Sequence, residues 1–186
     1  MRPIYLIPLT GGTPAAPGIE PRLELLEYLA ASLARIYRRS CQIRPERLDI
    51  TSAWDAGRQQ YWSTAILERL QDSSDSGTRV LGITACDLFV PVLTFVFGEA
   101  QLDGYCAAVS VARLDEQFYG LPAREDLLRS RLVKTAVHEL GHTFGLRHCP
   151  DWRCVMSSSY GVERLDVKGA DFCPRCRKPV FHEHRW

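Results

Sequence analysis

The sequence predicts an α+β fold with an α/β-like arrangement, in which a mixed sheet lies against backing helices. Strands are predicted at 4–9 and 41–50, at 79–84 and 92–97, which contain β-branched and aromatic residues, and at 107–114, where apolar and polar residues alternate. Apolar residues recur at helical spacing over 21–36 and again over 122–144, which predicts two amphipathic helices. The order β-α-β-(α)-β-β-β, followed by a long helix, is typical of strands and helices packed in layers.

The composition is that of one globular domain. The chain has 186 residues, of which 46% are hydrophobic and 24% charged, and this excludes a disordered or fibrous chain. The net charge of +1 gives no indication of a nucleic-acid or membrane-surface partner. The first residues lack a signal-peptide core, and the longest apolar stretch, 88–97, is too short to span a membrane. We therefore expect a cytoplasmic monomer without membrane or nucleic-acid partners.

The first two thirds of the chain supply the expected sheet. The first strand, 4–9, precedes a Gly- and Pro-rich loop at 11–18, and Pro21 suits the first turn of a helix. The second strand, 41–50, contains Pro45, which favours a sheet edge or a bulge. A helix over 62–70 ends in a polar loop, and the remaining strands follow it.

A long helix is predicted over residues 122–144. Three leucines, one alanine and one phenylalanine are spaced by four residues, at 128, 132, 136, 140 and 144, which places them on one helix face. At about 1.5 Å per residue the helix would be roughly 34 Å long. Gly145 is the expected left-handed residue at which the helix ends.

Three histidines at metal-ligand spacing lie at the end of this helix. His138 and His142 are four residues apart, so both imidazoles project from one face and can share a tetrahedral zinc. Glu139 lies beside the first ligand, where a carboxylate can accept a proton from metal-bound water. Gly145 would turn the chain so that His148 becomes the third ligand and one position is left for water. The alternative is a pair of ordinary helix histidines beside a solvated carboxylate.

Four of the seven cysteines predict a second metal site. They form two close pairs, Cys149 with Cys154 and Cys173 with Cys176. Four thiolates complete a tetrahedron around zinc and leave no position for water, as in a structural site. Because Cys149 directly follows His148, we expect this zinc to brace the segment that delivers the third histidine. Free or disulfide-bonded cysteines are the alternative. The other three are expected to be buried thiols: Cys41, Cys86 and Cys106.

Residues 131–176 resemble the archaemetzincins, a family within the metzincin clan of zinc endopeptidases. The resemblance rests on the three histidines with Glu139, on a cysteine directly after the third histidine, on Cys154-Val-Met156 and on Cys173-Pro-Arg-Cys176. It implies a metzincin-type mixed twisted sheet, a long active-site helix and a small zinc-braced C-terminal subdomain. It also implies two zinc ions, one catalytic at the three histidines and one structural at the four cysteines.

We expect a single catalytic domain over residues 1–186. Its N-terminal subdomain would be 1–148, with the active-site helix at about 122–144, and its C-terminal subdomain 149–186. The resemblance makes Met156 a methionine turn below the catalytic zinc, although a methionine also serves as a core filler. Tyr160 lies four residues further on, and we assign it no role. His182 and His184 belong to a tail that we expect to be frayed.

The sequence therefore predicts a zinc-dependent metallopeptidase that hydrolyses peptide bonds, with Glu139 as the general base acting on zinc-activated water. If residues 92–97 form an edge strand above the helix, an extended peptide could pair with them, but a buried strand fits equally well. The alternative function is a catalytically latent zinc-binding module that uses its four-cysteine site in protein or nucleic-acid interaction. Glu139 favours catalysis, because a structural metal site needs no general base.

Overall fold

The computed structural model describes residues 2–13, 16–72 and 77–181. Its strands are β1 (Ile4–Thr13), β2 (Ala16–Ile19), β3 (Cys41–Ile43), β4 (Leu48–Asp49), β5 (Trp54–Asp55), β6 (Gln60–Trp62), β7 (Arg79–Thr84), β8 (Leu88–Phe89), β9 (Gly98–Ala100) and β10 (Cys106–Ser110). Its α-helices are α1 (Leu23–Tyr37), α2 (Ser63–Asp72), α3 (Glu125–Thr143), α4 (Val162–Val167) and α5 (Pro174–Phe181).

The main sheet is mixed, and β9 is its edge nearest the candidate site. Its strand order is β2-β1-β7-β10-β9, and β3 and β4 also pair with β1. Strand β7 runs parallel to both β1 and β10, whereas β9 runs antiparallel to β10. A smaller sheet has the order β5-β6-β8. This arrangement is the mixed sheet with helices that the sequence predicts.

Helices cover both faces of the main sheet because its strands alternate between two cores. Strand residues such as Leu6, Leu81 and Val109 pack in one core with α1 and α3. Residues of the opposite parity, such as Leu9 and Val80, pack in the other core with α2 and the small sheet. The C-terminal segment joins the first core, so α3 is enclosed between the sheet and that segment.

Three predicted elements differ in detail. The expected loop at 11–18 is largely a hairpin, in which β1 continues to Thr13 and pairs antiparallel with β2. The expected strand at 41–50 is divided into β3 and β4, on either side of Pro45, which has no N–H to donate to a ladder. The last predicted strand ends at Ser110, and a 3₁₀ turn, Ala112–Leu114, follows it.

The prediction of a strand at residues 92–97 is wrong. Within this segment Val96 makes only an isolated bridge to Leu88, and Val92 is 89% exposed. Its apolar side chains line a cavity instead of a sheet core, which the hydrophobic pattern alone does not distinguish. Side-chain hydrogen bonds fix this segment in place of strand-to-strand backbone hydrogen bonds. Arg58 donates to the carbonyl of Leu93, and Gln60 donates to the carbonyl of Thr94.

The long helix is shorter than predicted at its N-terminus and ends as predicted. It begins at Glu125 rather than near 122 and ends at Thr143. Gly145 has φ +77° and its N–H donates to the carbonyl of His142, which is the left-handed stop expected there. In the part of the chain that the structure describes, no helix is long and apolar enough to cross a membrane.

Candidate active site

The structure brings the three predicted histidines together at the C-terminal end of α3. Possible ligand nitrogens of His138, His142 and His148 all lie within 4.8 Å of one another. The Nε2 atoms of His138 and His142 are 3.1 Å apart. Two nitrogens that share a tetrahedral zinc at about 2.0–2.1 Å should be roughly 3.3 Å apart. The spacing therefore fits zinc, and three ligands leave a fourth position open.

Backbone carbonyls fix the orientation of the first two histidines. The Nδ1 of His138 lies 2.8 Å from the carbonyl oxygen of Val155, and the Nδ1 of His142 lies 2.7 Å from that of Leu146. Because a carbonyl only accepts, Nδ1 carries the proton and the Nε2 lone pair faces the shared space. Burial lowers the pKa of His138 to about 3 and also lowers the pKa of the other two histidines. All three are therefore neutral near pH 7, as metal ligands must be.

Glu139 lies buried next to the first histidine, with its side chain against the edge strand. Burial raises the pKa of Glu139 to about 8, and the nearby Lys168 ammonium acts in the opposite direction. A Cβ at Gly98 of β9 would lie 2.7 Å from Cγ of Glu139 and 2.6 Å from the carbonyl oxygen of Ala108. Glycine is therefore needed at this point of β9. Sequence reasoning missed Gly98, because nothing local marks a contact with residue 139.

Met156 packs directly beneath the active-site helix. It is fully buried, and a Cβ at Gly141 of α3 would overlap its sulfur. The preceding residue, Val155, carries the carbonyl that accepts from His138. Met156 therefore packs against the helix that carries His138 and His142, and its role as a methionine turn stays a prediction; Gly141, which allows the close approach, was not singled out from the sequence.

The four predicted cysteines also converge. Their sulfur atoms all lie within 4.8 Å of one another, and the sulfurs of Cys149 and Cys173 are 3.8 Å apart. Four sulfurs around zinc at about 2.3 Å should be roughly 3.8 Å apart, so the cluster fits zinc. The described cysteines form no disulfide. Of the other three, Cys86 and Cys106 are buried as expected, and Cys41 is partly buried.

One loop, residues 148–156, links the two clusters. Cys149 follows His148, and its N–H donates to the carbonyl of Met156 at 2.9 Å. Cys154 at the other end precedes Val155, the hydrogen-bond partner of His138. Metal binding at the cysteines would therefore hold both the third histidine and the carbonyl that orients the first.

Lys168 is a component of the site that sequence reasoning did not identify. Its side chain is buried, and Nζ donates to the carbonyls of Val155 at 2.8 Å and Ser157 at 2.9 Å. Burial lowers the pKa of Lys168 to about 8, while the negative charge of Glu139 raises it. No motif includes this lysine, and its only signal is that the chain has just three lysines among its 23 basic residues.

Cavities lie on both sides of the histidines, along β9. One, of about 330 Å³, is lined by residues 93–98, by His138 and Glu139, and by a wall that includes Leu165 and Lys168. The other, of about 400 Å³, is lined by residues 98–100 and by His142 and Arg147 among others. Tyr160 lines the first cavity and is 87% exposed. His182 and His184 lie outside the described residues.

The comparisons with known proteins agree with this geometry. The family model described as Peptidase family M54 matches residues 39–181, more than three quarters of the chain. A protein from Methanocaldococcus jannaschii named archaemetzincin is 42% identical over 158 residues, which cover 84% of this chain and 86% of that protein. The chain belongs to peptidase family M54. The predicted resemblance to the archaemetzincins is confirmed, and the chain is a zinc metallopeptidase.

Two solved structures confirm the fold class. The crystal structure of archaemetzincin from Archaeoglobus fulgidus, complexed with malonate, has a TM-score of 0.78 and 35% identity, and the match covers 95% of this chain and 99% of that one. A zinc-dependent peptidase from Methanocorpusculum labreanum has a TM-score of 0.82 and 26% identity at the same coverage.

Proposed function

We propose that this peptidase hydrolyses peptide bonds at the three-histidine site, with Glu139 as the general base. The observation that carries the proposal is the placement of a buried carboxylate directly beside three imidazoles that converge on one point. Two of those imidazoles are oriented by backbone carbonyls, so their free nitrogens are preorganised for a metal.

The roles of the chain's own groups follow from this placement. Zinc held by His138, His142 and His148 would lower the pKa of a bound water and polarise the scissile carbonyl. In its ionised form, which the positive charge of a bound zinc would favour, Glu139 accepts a proton from the water whose oxygen bonds to the carbonyl carbon. It then donates that proton to the amine nitrogen as the C–N bond breaks. Burial of Glu139 excludes bulk water from this proton transfer.

The substrate binds as an extended peptide along β9. This strand ends the strand order of the main sheet, so its outer N–H and C=O groups are available for strand addition. Cavities adjoin β9 on both sides of the metal ligands, and they would accept substrate side chains. Strand β9 replaces residues 92–97 as the edge that pairs with substrate.

A second zinc at the four cysteines braces the segment that carries His148. The chain acts as a single catalytic domain with subdomains 1–148 and 149–186. The support for one domain is that Met156 and Leu165 share a hydrophobic core with α1 and α3. The monomeric state and the cytoplasmic location stay predictions from the sequence.

Digestion of a peptide library tests this function. The zinc-loaded protein should cleave peptides, chelation should abolish cleavage, and zinc should restore it. If the zinc-loaded, folded protein cleaves no peptide, the alternative of a catalytically latent zinc-binding module replaces this proposal.

A further inference from the structure

We propose that the cavity beside Glu139 is a pocket for an acidic side chain of the substrate, with Lys168 as its specificity-determining residue. The side chain would belong to a residue adjacent to the scissile bond. This inference rests on the proposed peptidase function and specifies the substrate class of the same site.

The walls of the cavity suit the carbon chain of such a residue. Its volume is about 330 Å³, and its apolar lining includes Leu93, Phe95, Phe97 and Leu165. These residues come from the segment before β9 on one side and from α4 on the other. They would bury methylene groups but cannot satisfy a charged or polar end.

Two buried polar groups on the lining have hydrogen-bonding capacity that the described residues do not use. The ammonium of Lys168, in a residue only 3% exposed, has three donor hydrogens. Two of them are used by the carbonyls of Val155 and Ser157, and the third has no acceptor within the described part of the chain. The Oγ of Ser159 is also buried and has no hydrogen-bond partner among the described residues. A buried donor without an acceptor is costly, and a ligand oxygen would relieve that cost.

The charges around the cavity favour a carboxylate over an amide. Of its described lining residues, only Lys168 and Glu139 can carry a formal charge near pH 7, because burial keeps the lining histidines neutral. Glu139 adjoins the metal site, where neutral imidazoles leave the charge of a bound zinc to compensate it. The positive charge of Lys168 is therefore available to attract a negatively charged group of the substrate. The other groups that act on Lys168 are Lys134 and Arg164, which are positive and would favour an anion, and the thiolate of Cys154, whose charge a zinc at the cysteines would partly compensate.

Binding of non-cleavable peptides tests the pocket without relying on catalysis. In each peptide a CH₂–CH₂ unit replaces the scissile amide, and one residue beside it is Glu, Gln, Leu or Lys. The varied residue is placed either before or after the replaced bond. At one of these two positions, isothermal titration calorimetry should give at least tenfold tighter binding for the Glu peptide than for the Gln peptide, and the weakest binding for the Lys peptide. Equal binding of the Glu and Gln peptides at both positions would overturn the proposal.

Variants assign the preference to Lys168. In Lys168→Met the Glu-to-Gln ratio should fall to within about twofold, and Lys168→Arg should retain most of it. The matched control is Lys178→Met, an exposed lysine on α5, which should leave the ratio unchanged. A Glu preference that survives in Lys168→Met contradicts the assignment. If Lys168→Met does not fold, the Glu-to-Gln binding ratios of the wild type and of Lys168→Arg test the proposal, and a ratio near one in both contradicts it.

The binding data also separate this proposal from the proposed function. Glu-selective binding without cleavage of any natural peptide would remove the peptidase function and leave the acidic pocket in place. Cleavage without any preference for Glu would remove the pocket and leave the peptidase function in place.

Discussion

Replacing Gly98 with alanine should displace the carboxylate of Glu139 and impair peptide hydrolysis. The new Cβ would lie 2.7 Å from Cγ of Glu139 and 2.6 Å from the carbonyl oxygen of Ala108. Carbon atoms in contact are ordinarily about 3.5–4.0 Å apart, so the side chain must move by about 1 Å. A displacement of that size can reduce a rate about 100-fold. The overpacking should also cost about 2 kcal/mol of unfolding free energy.

The assay is kcat/KM for one peptide, measured well below the melting temperature of each variant and normalised to zinc content. The matched control is Gly57→Ala, an exposed glycine whose added Cβ would meet nothing closer than 3.3 Å, the carboxylate of Asp55. It should leave kcat/KM within about twofold. Glu139→Ala removes the Cγ that the new Cβ would meet, so the loss of unfolding free energy caused by Gly98→Ala should be smaller in that background, where only the contact with the carbonyl of Ala108 remains.

The reasoning is refuted if folded, zinc-loaded Gly98→Ala cleaves peptide at more than half the wild-type rate. It is equally refuted if Gly98→Ala costs the same unfolding free energy with Glu139 and with Glu139→Ala, because the loss would then not depend on the contact between residues 98 and 139.

Three further predictions concern the framework of the site. Arg131→Met removes a buried guanidinium that is only 2% exposed and should lower the unfolding free energy by about 3 kcal/mol; a loss below about 1 kcal/mol in chemical denaturation would contradict this. In Gly141→Ala the new Cβ would overlap the sulfur of Met156, which should lower the unfolding free energy by about 1–3 kcal/mol. An unchanged melting curve would argue against this close contact. Cys173→Ser should reduce zinc from two ions to one in native mass spectrometry. It should also reduce peptide cleavage about tenfold or more through His148, whereas full activity with one zinc would disprove the bracing role.

The positions of the metal-ligand candidates could be predicted because they depend on short-range geometry. His138 and His142 share a face of one helix, whose apolar spacing is visible in the sequence. A left-handed turn at Gly145 then brings the chain back towards these two histidines, so that His148 lies beside them. The two cysteine pairs are similarly local. Within each of these groups the distance along the chain limits the distance in space, whereas the 18 residues between the two cysteine pairs do not. The convergence of the pairs was expected because four thiolates complete a zinc site.

The edge strand could not be predicted, because the information that defines it is not local. Strand β9 has three residues of intermediate burial, too few to show an alternating pattern. The apolar segment before it, 92–97, has the composition of a strand but lines a cavity. What separates the two is pairing with β10, which depends on the tertiary structure.

Lys168 and Gly98 were missed for a related reason. Each acts on a residue far away in the sequence, Lys168 on the carbonyl of Val155 and Gly98 on the side chain of Glu139. A single lysine or glycine gives no pattern to interpret. Only the packing of α3 against β9 and the C-terminal segment reveals their roles.

Parallel measurement of zinc content and peptide cleavage for Glu139→Gln tests the central claim most directly. The variant should retain two zinc ions per chain, because Glu139 is not a ligand, while kcat falls about 10²–10⁴-fold. Glu68→Gln, an exposed carboxylate on α2, is the control and should behave as wild type. Cleavage by zinc-loaded Glu139→Gln at a rate within a few-fold of wild type would contradict the account.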